Sequence, residues 1–185
     1  MNIRILRNAG RVAAVAALGI GAIAAAGTAQ ASTSSPSIEW LNNQYWISPT
    51  YDAMNVAVAQ GATYLGAPIL QWYNDGGSEQ KWIFGDEFNA ADQFIGYAIK
   101  NVNSGQCLTT DGTAGDQLYQ FACEAGALTQ VFSVTQNDAG ADLFQNVGTG
   151  LYLDVSGYSW GPGASIDLWY SNGQPNQQFW LTNLG

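Results

Sequence analysis

The chain has 185 residues, five Lys and Arg against 14 Asp and Glu, no His, and a formal net charge of −9. Without clustered Lys and Arg it cannot release counterions from a phosphate backbone, which excludes nucleic acid as a partner. Without His, the usual general base, zinc ligand and Ser-His or Cys-His nucleophile pairs are excluded as well.

The chain opens on three bases, Arg4, Arg7 and Arg11, followed by an apolar run over residues 12–26 and the small-residue step Ala29-Gln30-Ala31. This is the pattern of a secretory signal peptide, residues 1–31. The run is shorter than the roughly 20 residues of a bilayer span. The expectation is a secreted, extracellular protein with no membrane attachment after cleavage. Beyond residue 31 only Lys81 and Lys100 stand against all 14 acids, a net −12. Residues 32–41 read as a flexible polar leader, and residues 42–185 suffice for one domain.

That domain divides into three repeats, residues 42–90, 91–138 and 139–185. In the first, β-type runs fall at residues 44–48, 54–58, 69–73 and 81–84, with Asn74-Asp75-Gly76-Gly77 as a turn signal. In the second they fall at 94–102, 106–109, 117–121 and 131–134, and in the third at 142–146, 151–155, 165–170 and 179–181. No helical pattern follows the signal. The repeats close on Gln80-Lys81-Trp82, Gln130-Val131-Phe132 and Gln178-Phe179-Trp180, 50 and 48 residues apart. A recurring unit outranks local propensity in deciding architecture. About twelve short strands in three units are too few for a propeller, and closure on a threefold axis leaves no open sheet edge.

Cys107 and Cys123 are the only cysteines. In an exported chain an even pair is more often a disulfide than a metal site or a nucleophile. No metal or other cofactor is expected.

The three Gln-x-aromatic endings, the stretch Asn101 to Leu108 with Phe121-Ala122-Cys123, and Leu153-Asp154-Val155 followed by Ile166-Asp167-Leu168-Trp169 resemble the ricin B-type lectin family. The resemblance covers nearly all of residues 42–185 and implies an all-β fold, a β-trefoil: a six-stranded barrel closed at one end by three hairpins. It implies buried aromatics at Trp82, Phe132 and Trp180. It also implies one sugar site per lobe, built from an Asp on the second strand, a stacking aromatic on the third and an Asn-Gln pair at the closing turn.

Carried onto this chain, the third lobe supplies Asp154, Asp167, Trp169 and Gln178, with Gln177 in the place of the asparagine and Asn176 one residue early. Tyr158 and Trp160 extend the platform from a glycine-rich loop. The first lobe supplies Asn55, Trp72 and Gln80, with an amide where the carboxylate belongs; the second, with Thr109 there, is structural. The expected function is non-catalytic binding of a carbohydrate, galactose-like or from a plant or microbial polysaccharide, by a monomer. The alternatives are a trefoil that docks or inhibits another protein through a loop such as 156–163 and, through Asp154 and Asp167, a glycoside hydrolase.

Overall fold

The computed structural model describes residues 34–185. The signal-peptide expectation for residues 1–31 lies outside the described residues. Twelve strands are present among those described, and the helical turns are all short 3-10 turns.

Six strands close a ring. They are β1 (Ser37–Pro49), β4 (Trp82–Phe88), β5 (Phe94–Asn101), β8 (Val131–Gln136), β9 (Asp142–Asn146) and β12 (Phe179–Asn183). The pairing runs β9-β12-β1-β4-β5-β8 and back from β8 to β9, so the barrel has no free edge. The other six form three hairpins: β2 (Met54–Val58) with β3 (Ile69–Tyr73), β6 (Cys107–Thr109) with β7 (Tyr119–Phe121), and β10 (Tyr152–Val155) with β11 (Ile166–Trp169). The hairpins meet through single bridges, Pro68 to Tyr119, Leu70 to Ser165 and Gln117 to Asp167. The architecture is the β-trefoil.

The alternating sequence puts one face of each barrel strand inside. Tyr45, Ile47, Trp82, Phe84, Ile99, Phe132, Phe144 and Phe179 fill the interior, packing edge-on where Tyr45 meets Phe84 and Phe144 meets Phe179. The hairpins add Ile69, Leu118 and Ile166, fully buried and linked by backbone bonds from Ile69 N–H to Leu118 and from Leu118 N–H to Ile166. Cys107 and Cys123 are bridged, stapling the hairpin of the second lobe.

The leader expectation fails for residues 37–41, which form the first part of β1. Ser37 to Trp40 pair with Phe88 to Gly85. Trp40 lies beneath Lys100, whose Nζ is 3.7 Å from the ring centroid, and a Cβ at Gly85 would collide with Ile38 and Trp40. Two apolar side chains and a facing glycine order a stretch that reads as polar.

Candidate functional site

Each lobe ends its polar turn in one 3-10 turn, Ser78–Gln80, Leu128–Gln130 and Pro175–Gln177, and buries the glutamine that closes it. The glutamine Nε2 donates to a carbonyl at or one residue past the end of the third strand, Tyr73 at 2.8 Å, Ala122 at 2.8 Å and Tyr170 at 2.9 Å. The same amide also bonds a second-strand side chain. Asn55 Nδ2 donates to Gln80 Oε1 at 3.1 Å, Gln130 Nε2 to Thr109 Oγ1 at 3.1 Å, and Gln177 Nε2 to Asp154 Oδ2 at 2.8 Å. A buried amide with its groups satisfied locks strand to turn in every lobe.

These bonds correct the register of the third ending. The equivalent triplets are Gln80-x-Trp82, Gln130-x-Phe132 and Gln177-x-Phe179, and Phe179 is the buried anchor. Trp180, expected inside, is 44% exposed because it falls on the outer side of β12. Gln178 points away from Asp154 and donates to Gly173 O at 3.4 Å. Asn176, one residue early in the sequence alignment, is the asparagine of the closing pair.

Asp154 is the centre of the third lobe. Asn176 Nδ2 donates to both its oxygens at 2.8 Å, Gln177 reaches Oδ2 at 2.8 Å, and Asn172 Nδ2 reaches Oδ2 at 3.4 Å. Three amides thus orient one carboxylate at the base of a hollow of about 490 Å³. Gly115, Gly157, Tyr158, Asp167 and Trp169 contribute to its walls. Asp167 sits opposite Asp154 on the neighbouring strand, buried, with Oδ1 unpartnered. Trp169 is 44% exposed and rests on the second lobe: a Cβ at Gly115 would lie 2.9 Å from its ring, and Gly115 N–H donates to Leu168 O at 2.8 Å. Only a glycine, here at φ +87°, allows that backbone to lie against the indole.

The same support recurs in the first lobe, where Gly163 N–H donates to Gln71 O at 2.8 Å and Gly163 faces Trp72. There the hollow, about 420 Å³, has Trp72 as its aromatic, but Ala57 and Leu70 stand where the third lobe has Asp154 and Asp167. Asn55, expected at the carboxylate position, lies two residues before Ala57. It is spent internally, accepting from Ser48 Oγ at 2.6 Å and donating to Gln80. In the second lobe Thr109 Oγ1 donates to Cys107 O at 2.8 Å. Among the described residues no group of three or more His, Cys, Asp or Glu could hold a metal ion.

The carboxylate pair has an electrostatic signature. Burial pushes Asp167 up to about 6; a hydrogen bond from Ser156 opposes the rise and the charge of Asp154 adds to it. Burial also raises Asp154, against the amides of Gln177, Asn176 and Asn172. The folded Asp167 therefore keeps its proton to higher pH than the unfolded one, whose ordinary value is 3.8. Between those values the native state binds the extra proton, so stability falls as pH rises through the window. Burial raises Asp52, Glu87 and Asp142 in the same direction. Thermal melts are expected to show a higher Tm at pH 5 than at pH 7. Asp167→Asn is expected to raise the pH 7 value by several degrees, on the order of 2 kcal/mol, and to flatten the dependence. A variant melting below the parent at pH 7 would count against a strained carboxylate.

Residues 38–120, 78–169 and 128–185 each match the family described as the ricin-type beta-trefoil lectin domain-like family. Solved structures share the fold. A designed threefold-symmetric protein, ThreeFoil, is 23% identical with a TM-score of 0.67, over 76% of this chain and 99% of that one. An exo-β-1,3-galactanase from Clostridium thermocellum is 25% identical with a TM-score of 0.68, over 77% of this chain but 30% of the enzyme. A Macrolepiota procera ricin B-like lectin in complex with lactose is 20% identical with a TM-score of 0.60, over 75% of this chain and 93% of that one. No curated protein matches the chain by sequence. With its three overlapping matches and three equivalent lobes around one barrel, the chain belongs to the ricin-type beta-trefoil lectin domain-like family.

Proposed function

We propose that this is a secreted, non-catalytic carbohydrate-binding protein that holds a neutral pyranose in the hollow of its third lobe. The observation that carries the reading is a single carboxylate, Asp154, fixed by three amides beside a half-exposed indole, Trp169. Carboxylate oxygens accept from adjacent sugar hydroxyls as charge-assisted bonds. The apolar C–H face of the ring stacks on Trp169 and sheds its water there. Asp167, in register opposite Asp154, adds a second acid to the lining of the same hollow. The first lobe has Ala57 and Leu70 where the third has Asp154 and Asp167, and its acids, Asp75 and Glu79, stand after the third strand instead, so the third lobe is expected to be the main sugar site. The lactose in the Macrolepiota procera structure makes galactose-type sugars the first to try.

A hydrolase is the second reading, because two neighbouring carboxylates with unequal proton affinities form the acid–base pattern of glycosidases. Their placement argues against it. Asp154 and Asp167 stand side by side on one floor, in direct cross-strand register, whereas an acid and its partner must flank the scissile bond. Release of reducing sugar from oligosaccharides, lost in Asp154→Asn, would reinstate the enzyme.

Calorimetric titration with galactose and lactose tests the binding reading. Trp169→Ala is expected to weaken the sugar about tenfold and to lower the melting temperature by only a few degrees, since the ring packs on Gly115 with one side and presents the other to solvent. Equal affinity of parent and variant would remove Trp169 from the site.

A further inference from the structure

The loop after β10, residues 156–163, carries two exposed aromatics that the barrel does not need. Trp160 is 62% exposed, and Tyr158 reaches the wall of the third-lobe hollow. Their rings lie 6.4 Å apart at 33°, and both rest edge-on against Tyr51, at 4.8 Å for Tyr158 and 4.9 Å for Trp160.

The backbone gives independent evidence that Tyr158 is present for its side chain. Its φ is +54°, in the left-handed region, and the equivalent residue of the 3-10 turn in the first lobe is a glycine, Gly61, at +63°. A bulky side chain at a position shaped for glycine is held there against its own preference.

The loop is also pinned. Tyr51 Oη donates to Ser159 O at 2.7 Å, and Gln71 Nε2 donates to Ser159 O at 3.0 Å and Gly161 O at 2.9 Å. Gly163 N–H donates to Gln71 O at 2.8 Å. Four bonds to the first lobe make the aromatic pair a fixed surface.

We propose that the third-lobe hollow is the first subsite of a longer one, and that Tyr158 and Trp160 stack the next rings of a neutral oligosaccharide. The inference rests on the carbohydrate-binding reading above and extends it from a single sugar to a chain. Continuity carries it: Tyr158 belongs both to the wall of the hollow and to the aromatic pair, so a glycan leaving Trp169's hollow past Tyr158 meets Trp160. Charge selects the class. The hollow presents Asp154 and Asp167, and the two Lys of the described chain stand on or beside β4 and β5, Lys100 over Trp40. Sulfated or uronic chains would find carboxylates and no cation. Apolar rings held without entropy cost suit the C–H faces of uncharged sugars.

The test is calorimetric titration of the intact protein with galactose, glucose and xylose, and with the unbranched trisaccharide of each, β-1,3-galactotriose included. The expected result is that the trisaccharide of whichever sugar binds does so about tenfold more tightly than its monomer. Trp160→Ala is expected to erase that gain and leave monosaccharide affinity within twofold of the parent. Tyr158→Gly is expected to erase the gain with no loss of melting temperature, since it restores the residue the backbone favours. Equal affinity for monomer and trimer overturns the extended site and leaves the single-sugar site standing. No binding of any sugar overturns both. Sedimentation showing self-association of the parent, abolished by Trp160→Ala with sugar affinities unmoved, would assign the aromatic pair to a contact between copies and overturn the proposal.

Discussion

Asp154→Asn is expected to abolish measurable sugar binding, a loss of about 100-fold or more. The carboxylate is the anionic acceptor of the hollow that the amides hold, and a bond to an ionised group contributes about 1.5–3 kcal/mol. The substitution also breaks the frame. Asn176 Nδ2 and Gln177 Nε2 now donate to the carboxylate at 2.8 Å, and an asparagine in its place turns one acceptor into a donor facing other donors. Asp154 is buried, so its neighbours cannot turn to water to make up the loss. Calorimetry with galactose or lactose checks the affinity, and circular dichroism checks that the barrel persists. Binding retained within tenfold would mean that the grip lies elsewhere.

Phe179→Ala is expected to cost about 4 kcal/mol, lowering the melting temperature by roughly 10 °C, whereas Trp180→Ala costs about 1 kcal/mol or less. The two residues are adjacent and the larger one matters less. Phe179 is fully buried, 5.8 Å from Phe144 in edge contact, while Trp180 sits outside, paired across the sheet with Ser48. Removing the phenyl leaves a cavity in the barrel interior; removing the indole opens a site already partly in solvent. Thermal or urea unfolding of the two variants side by side decides the matter. A larger loss from Trp180→Ala would reinstate the 178–180 register.

That one-residue slip shows how far a sequence of this kind can be read. The three endings at Gln80, Gln130 and the 177–180 region carry a local signature, and the threefold period needs nothing beyond it. Phe179 and Trp180 both satisfy the pattern of a large aromatic near a glutamine. Only the side of the pleat distinguishes them, and that is set by pairing with β1 and β9. The Phe at position 132 was the available hint: with phenylalanine as anchor in the second lobe, aligning Phe179 to it brings Asn176 and Gln177 into place together. Asn55 was misplaced for a related reason. It alternates onto the same face as Ala57, so its polarity drew the assignment two residues early, while the hairpin pairing puts Ala57 at the carboxylate position.

By itself the sequence determined the class of fold, the twelve strands, the paired cysteines and the lobe that keeps an acid beside a tryptophan. Each of these is written in alternation, turn residues and repetition along the chain, which act locally. The tertiary structure alone decided which amides hold Asp154, that Asp167 faces it with an unpartnered oxygen, that Gly115 of one lobe supports Trp169 of the next, and that Tyr51 and Gln71 hold the loop of residues 156–163. Those contacts join residues 13 to 108 positions apart. They exist only once the barrel has closed and brought three separate hairpins to one end.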